Sequence, residues 1–294
     1  MKAVTSSPST VVSVVDVPQP QPSAGQVLVR VAAAGINPID VDTSRSGPRN
    51  RTLGWEAAGV VDAVGQGVRG FRPGDAVIGW TYWLSSGRGT QAEYVVLDAS
   101  ATAEAPRTID AAHAATLPLN GSTAWQALAG LGITAGESLL VVGAAGSIGG
   151  FAIDLAVAQG AEVWGVASPA DADFVAGLGA RFVARGHTAV AEVRAACPLG
   201  VDKMLATARI DDAWRHVIRP GGRFLSTVGQ SLPEVESGFL NAHPDASQLT
   251  ALAAHVDRGE LRVRTAEQQT FDQAATAYAH ASAPGLRGRV VLTP

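Results

Sequence analysis

Between Leu139 and Phe151 the chain reads Leu-Leu-Val-Val-Gly-Ala-Ala-Gly-Ser-Ile-Gly-Gly-Phe. An apolar run ends in a turn made of small residues, and an Ala-rich amphipathic stretch follows. This is the pattern of a buried strand turning sharply into a helix. Gly146 lets a bulky anion approach the backbone, and Gly149 lets the helix lie close on the strand. The helix N-terminus adds free N–H groups and the positive end of its dipole. The motif is A-x-G-x-x-G, with Ala144 where the first glycine of G-x-G-x-x-G usually stands. Its position between strand and helix points to a dinucleotide-binding turn, with Gly143, Ala144, Ala145, Gly146, Ser147, Ile148 and Gly149 around the pyrophosphate.

The surrounding texture agrees with such a turn. From about residue 110 onward, Val-rich runs alternate with Ala/Leu stretches, which predicts a doubly wound α/β domain. Strands are expected over 138–143, 162–167, 182–184, 202–206 and 222–228. Helices are expected over 147–159, 171–178, 189–196 and 211–217, with another over 246–257. The first third is mainly β, with strands over 27–33, 57–64, 75–79 and 92–96, and Pro18–Pro22 joins an opening hairpin to the first of these. The tail from 261 to 292 returns to short strands around one helix, 272–281. Apolar types make up 47% of the 294 residues and charged types 16%, so much of each element must be buried and disorder is excluded.

Charge and cysteine content narrow the function further. The net charge is −4 and the only lysines are Lys2 and Lys203, which leaves no extended basic surface for nucleic acid or anionic lipid. The one cysteine, Cys197, rules out an internal disulfide and fits a reducing, cytoplasmic setting; it is expected to be a structural thiol. The opening residues lack the segments of a signal peptide and are expected to be mature protein. No uninterrupted apolar window approaches the ~18 residues of a membrane span, so a soluble protein is expected.

Dinucleotide sites that select NAD usually carry an acid at the tip of the second strand. Here that strand ends at Ala167-Ser168 without one. NADPH is therefore favoured over NADH, with Ser168 donating to the 2′-phosphate. Asp171 and Asp173 lie nearby, and no Lys or Arg follows Ser168 directly. Arg185, or Arg287 or Arg289 in the tail, is the candidate for the missing positive charge. Val228 and Gly229, after the fifth strand, are expected beside the nicotinamide carboxamide, because ligands sit outside the carboxyl ends of such strands.

A series of short motifs runs through most of the chain: Val17-Pro18, Gly25–Val31, Ala34-Gly-Ile-Asn-Pro-Ile-Asp40, Gly54-Trp-Glu-Ala-Ala-Gly-Val-Val61, Arg72-Pro-Gly-Asp75, Ala92-Glu-Tyr94, Leu117-Pro118, Thr123-Ala-Trp125, Gly221-Gly-Arg223 and Gly288–Pro294. In this order and spacing they resemble the medium-chain dehydrogenase/reductase superfamily, in particular its zinc-independent quinone oxidoreductase-like branch. The resemblance implies a GroES-like β-rich substrate domain built from both chain ends, 1–118 and 259–294, and a Rossmann NADPH-binding domain over 119–258. It implies reduction of quinones or α,β-unsaturated carbonyls, often by homodimers. Asn37 and Trp55 stand where the zinc-dependent members carry Cys and His. By the same likeness Asn37 lies near the nicotinamide and Thr123 starts the helix facing the cofactor. The tyrosine that often follows Arg-x-Gly in this branch is missing after Arg45-Ser-Gly47, and the chain looks trimmed beyond that point.

Metal and hydrolase chemistry find no motif of their own. The six histidines form no i, i+4 pair, and H-E-x-x-H, G-x-S-x-G and Gly-Lys are all absent. Hydride addition to an isolated ketone leaves a strongly basic alkoxide, whereas an enone or quinone spreads the incoming charge onto a distant oxygen that one or two donors hold. Asn37 and Tyr82 are the candidates for catalytic contacts. Asn120 and Thr123 are further polar candidates, and Asp40 is expected to be a structural acceptor. The aromatic-rich segment 79–88 is a candidate wall for a flat substrate. Two alternatives stay open: a metal-free ketone or alcohol dehydrogenase, and a nucleotide-binding redox sensor with little turnover.

Overall fold

β-branched runs at both ends of the chain and strand–helix alternation in the middle sort it into two units in the computed structural model, which describes residues 1–6, 12–46, 50–83, 87–283 and 285–294. The first unit comprises Met1–Ser122, Pro244–Gly259 and Val263–Pro294; the second comprises Thr123–His243 with Glu260–Arg262.

The first unit opens with the expected hairpin, β1 (Lys2–Ser6) antiparallel to β2 (Val12–Asp16). Prolines then keep residues 17–23 out of regular structure. β3 (Gln26–Ile36) is the central strand, followed by β4 (Glu56–Val64), β5 (Ala76–Trp80), β6 (Tyr94–Asp98) and β7 (Thr102–Glu104). Val27, Val29, Val31, Ala57, Val61, Val77, Val95 and Leu97 form the core of this sheet. Between β3 and β4 lies a helix the sequence did not predict, α1 (Pro38–Ser46). Its Asp, Thr and Ser content is poor in helix formers. Its start is nevertheless well specified: Pro38 occupies the first helical position, the Asn37 carbonyl accepts from Asp40 N–H, and the Asp40 carboxylate accepts from Asn37 N–H at 2.8 Å. The second helix, α2 (Pro118–Leu131), also begins at a proline. Thr123 is therefore not its first residue, as expected, but lies in its second turn.

The second unit repeats strand and helix: β8 (Ser138–Val142), α3 (Ser147–Ala158), β9 (Glu162–Ala167), α4 (Ala172–Gly177), β10 (Arg181–Ala184), α5 (Ala189–Ala196), β11 (Val201–Ala206), β12 (Ile218–Ser226) and β13 (Glu236–Phe239). The order is β10-β9-β8-β11-β12-β13 and every pairing is parallel, so the predicted doubly wound sheet is present. Leu140, Val142, Trp164, Val166, Met204, Ala206 and Phe224 pack one side of it. Two details differ from expectation. Residues Asp212–Val217 form a 3-10 helix, and β13, a short Glu-Ser-Gly-Phe edge strand with no hydrophobic alternation, joins the sheet through its register with β12 alone.

The chain then returns through α6 (Ala246–Asp257), β14 (Thr265–Thr270), α7 (Ala274–Ala281) and β15 (Arg289–Thr293). Helix α6 was expected with the nucleotide-binding domain. It belongs to the first unit, burying Leu249, Leu252, Ala253 and Val256 while Asp257 accepts from the backbone N–H groups of Arg107 and Thr108. β15 pairs antiparallel with β3 and parallel with β14, so one sheet contains strands from both chain ends, the GroES-like arrangement implied by the resemblance.

Glycine at 149 is required by this packing. A Cβ built there lies 2.2 Å from the Gly143 carbonyl oxygen, whereas one built at Gly146 meets nothing nearer than 3.3 Å. Gly149→Ala is expected to destabilise the protein by about 1–3 kcal/mol through overpacking, and Gly146→Ala to leave it near wild type. Thermal unfolding of the two variants checks this, and equal midpoints would show that α3 does not rest on β8 as described.

Candidate functional site

In the second unit, strand β8 ends at Val142 and Gly143 turns the chain with φ +86. A side chain at 143 would strike Thr207 Oγ1, which itself donates to the Val142 carbonyl at 3.0 Å. Ala144 is fully buried under the turn, Ala145, Ser147 and Ile148 are partly exposed, and Gly146 is exposed. Gly146 is the N-cap of α3, and no side chain caps the helix. The turn thus leaves first-turn N–H groups uncapped by any side chain, beside an exposed glycine whose built Cβ would meet the Gly143 carbonyl oxygen at 3.3 Å. A pyrophosphate needs such a cradle, so the residues present fit a dinucleotide. The turn also stands where the sheet order reverses, between β8 and β11, the position at which doubly wound sheets take their ligands.

Ser168 directly follows β9 and is half-buried. Arg185 directly follows β10, is exposed, and donates its backbone N–H to the Ala167 carbonyl at 2.7 Å. Parallel pairing of Ala184 with Ala167 therefore brings these two candidates to the same end of adjacent strands. β12 stops at Ser226. The Val228 N–H donates to Ser226 Oγ at 3.0 Å, while Gly229 has φ +70 and open space around it. Cys197 is half-buried, and burial pushes its thiol above the usual range, as suits a structural thiol.

The two tail arginine candidates both lie in the first unit. Arg287 is exposed in the first unit. Arg289 is turned into that unit, where Nε and Nη2 both donate to Asn120 Oδ1 at 3.3 and 2.7 Å. Its charge faces two buried acids instead of a phosphate, because they lie within the same sheet and helix layer that β15 joins.

Those acids, Asp40 and Glu56, are fully buried with Asn37 and Asn120. Asn37 Nδ2 donates to Glu56 Oε1 at 2.7 Å, and Asn120 Nδ2 donates to the same oxygen at 2.8 Å and to Asn37 Oδ1 at 3.0 Å. Glu56 Oε2 accepts from Leu119 N–H at 2.7 Å. Asn37, the expected catalytic contact, and Asp40, the expected structural acceptor, thus share one cluster with Glu56 and Arg289, whose places in it no local motif announces. The signal for Glu56 was an acid inside the apolar run from Trp55 to Val61. Burial raises the Glu56 carboxyl to about 7, against the lowering effects of its Asn37 and Leu119 hydrogen bonds and of the Arg289 charge. Burial and the Glu56 charge raise Asp40 to about 8, opposed by the backbone N–H groups of Asn37 and Gly54 and by Arg289. Asp40 Oδ1 has no hydrogen-bond partner.

Two residues beyond the end of β5, Tyr82 packs edge-on against Trp55 and tilted against Trp80, each with ring centroids 5.4 Å apart. Trp80 and Trp83 are fully buried, so of the described residues in the aromatic segment Tyr82 is the half-exposed ring; residues 84–86 and the stretch 47–49 lie outside the described residues. Tyr82, Thr81, Arg88, Asp98 and Ser100 line a cavity of about 410 Å³ within the first unit. Among the described residues no group of three His, Cys, Asp or Glu side chains is placed to hold a metal ion. Asn37 and Trp55 offer no thiolate or imidazole, and the nearby acids face Arg289; these residues do not fit zinc.

Because Asp40 is held neutral in the fold but ionises near 3.8 when unfolded, its contribution to stability is present below about pH 4 and lost as pH rises toward 8. Asp40→Asn, which keeps an acceptor for Asn37 N–H, is expected to raise the unfolding midpoint at pH 8 by about 2–5 °C and to flatten its decline between pH 4 and 8. Parallel pH–melting series check this, and a variant less stable than wild type at pH 8 would mean Asp40 is needed as an anion.

Two family models match the chain: the alcohol dehydrogenase GroES-like domain over residues 23–107 and the zinc-binding dehydrogenase domain over residues 178–292. The Spectinabilin polyketide synthase system protein NorB of Streptomyces orinoci is 34% identical over 97% of this chain, which spans only 14% of that protein. The 2-methylene-furan-3-one reductase of Solanum lycopersicum is 27% identical over 92% of this chain and 72% of its own length. Among solved structures, the quinone oxidoreductase from Coxiella burnetii superposes with a TM-score of 0.90 at 24% identity, covering 100% of this chain and 99% of that one, which shows a shared fold. By its two family-model matches and its fold the chain resembles the medium-chain dehydrogenase/reductase superfamily, and its quinone-oxidoreductase-like branch in particular.

Proposed function

We propose that this chain is a zinc-independent, NADPH-dependent reductase of quinones or α,β-unsaturated carbonyls. The observation that carries the proposal is the glycine turn, exposed at Gly146 and set without a side-chain cap at the head of α3 where the sheet order reverses. In this reading NADPH, when bound, supplies the two electrons of the reduction. Gly143, Ala144, Ala145, Gly146, Ser147, Ile148 and Gly149 hold its pyrophosphate, and Ser168 with Arg185 takes the 2′-phosphate at the ends of β9 and β10. Val228 and Gly229 orient the carboxamide.

The substrate class follows from what the first unit offers. Asn37 and Trp55 supply no Lewis acid, so a substrate whose incoming charge is already delocalised suits this site better than an isolated ketone. Asn37 and Tyr82 are the proposed polar contacts for substrate oxygen, with the ring of Tyr82 beside the cavity that also bears Arg88. The reductase name of the tomato relative supports the same chemistry. A homodimer in the cytoplasm belongs to the same proposal. No helix among the described residues is long and apolar enough to cross a membrane.

Purified protein is expected to oxidise NADPH in the presence of an enone or quinone, and to do so unchanged after treatment with chelator. Reduction of simple ketones alone would favour a ketone dehydrogenase, and nucleotide binding with no acceptor turned over would favour a redox sensor. Gly146→Val is expected to weaken NADPH binding about a hundredfold or more while lowering the unfolding midpoint far less than a side chain at 149 does, since a Cβ at 146 meets the Gly143 carbonyl oxygen at 3.3 Å against 2.2 Å at 149. Ser168→Asp is expected to shift preference toward NADH about tenfold by setting an anion against the 2′-phosphate. Unchanged affinities in both variants would move the nucleotide elsewhere.

A further inference from the structure

The buried polar cluster of the first unit is more elaborate than a pair of contacts for a substrate requires. Two acids and a guanidinium, brought together from α1, β4 and β15, are costly to bury unless every charge is compensated and hydrogen-bonded. Here the bonds run in one direction. Arg289 aims two N–H donors at Asn120 Oδ1, which fixes that amide with its nitrogen toward Asn37 Oδ1 and Glu56 Oε1. Asn37 Oδ1 is thereby committed as an acceptor, and Asn37 Nδ2 must face Glu56. Turning either amide over would set N–H against N–H, so the network itself dictates both orientations. One of the two Nδ2 hydrogens of Asn37 satisfies Glu56, and among the described residues the other meets no acceptor.

We propose that Glu56 is a positioning residue for the redox site and acts as an anion, closing the Arg289–Asn120–Asn37 relay so that the second amide N–H of Asn37 is presented to a carbonyl oxygen of the substrate. This rests on the reductase reading above. Glu56 is faced by Arg289 from β15, by Asp40 from α1, and by Asn120 and Leu119 N–H from α2; Tyr278 of α7 faces Asp40 and donates to Gln91 Oε1 at 2.7 Å. A carboxylate accepts from Asn37, Asn120 and Leu119 at once. A carboxyl group carries a donor on one oxygen, so protonation sets that O–H against an incoming N–H and loosens the relay. Burial places this protonation within reach of neutral pH, at about 7.

The full chain, Glu56→Gln and Arg289→Lys are compared in three measurements: enone reduction from pH 5.5 to 8.5, NADPH affinity by nucleotide fluorescence, and side-chain amide spectra after selective ¹⁵N-asparagine labelling. With four asparagines in the chain, those spectra are simple to assign. In the wild type, kcat/KM is expected to rise about tenfold with pH through a midpoint near 7, and the Asn37 side-chain resonances to titrate with it. Glu56→Gln is expected to lower kcat about ten- to a hundredfold at pH 8, to remove the acid limb, and to keep NADPH affinity within about twofold. Arg289→Lys keeps the charge but loses the forked contact, so it is expected to lower kcat/KM and retain the limb. If Glu56→Gln does not fold, Arg289→Lys and the wild-type titration still decide the matter. Wild-type rate and pH profile in Glu56→Gln, or Asn37 resonances indifferent to pH in the wild type, would overturn the proposal. Bound NADPH with no acceptor reduced would instead overturn the reductase reading, and the amide titration would then judge the relay alone.

Discussion

A missing methyl group at position 149 governs the second unit. With no Cβ there, helix α3 rests directly on the carbonyl of Gly143, and that contact sets where the helix begins and which N–H groups it leaves unbonded. Everything asked of the turn follows from it. Gly143 must take a left-handed φ to bring the chain round, Ala144 is buried beneath, and Gly146 is left exposed at the surface. Substituting alanine for the first glycine of the motif costs nothing visible in this arrangement, because Ala144 packs inward against Gly165 of β9 and not toward the exposed side of the turn.

The first unit is organised around a different constraint, the burial of charge. Its central strand is apolar, yet Asp40, Glu56 and Arg289 converge beside Asn37 and Asn120 with almost no solvent contact for the acids and amides. Desolvation favours the neutral acids, and one guanidinium cannot balance two carboxylates, so both carboxyl groups are held above their ordinary range. The same cluster explains why α1 starts where it does. Asp40 caps the backbone of Asn37, while the Asn37 side chain, free of capping duty, is turned to Glu56.

Much of this was legible in the sequence. Strand β9 and helices α5 and α6 lie where the periodicity puts them, since each carries a clear apolar face between turn residues. The glycine turn was legible for the same reason: its chemistry is local, decided by which of seven consecutive residues has a side chain. Helix α1 was not, because its composition argues against a helix and its start is held by the Asn37–Asp40 hydrogen bonds. Strand β13 carries no pattern of its own and exists through the ladder that β12 offers it.

The sequence by itself determined the doubly wound order of elements, the glycine turn at the head of α3 and the lack of thiolate or imidazole side chains at 37 and 55. These depend on residue type and short-range spacing, which a linear string records. Only the tertiary structure decided that Arg289 meets Asn120 instead of a phosphate, that α6 packs with the β-rich unit, and that Glu56 stands at the centre of a buried relay. Each of these joins residues far apart in the chain, and a charge declares its partner only when the fold removes it from water and leaves it a single place to turn.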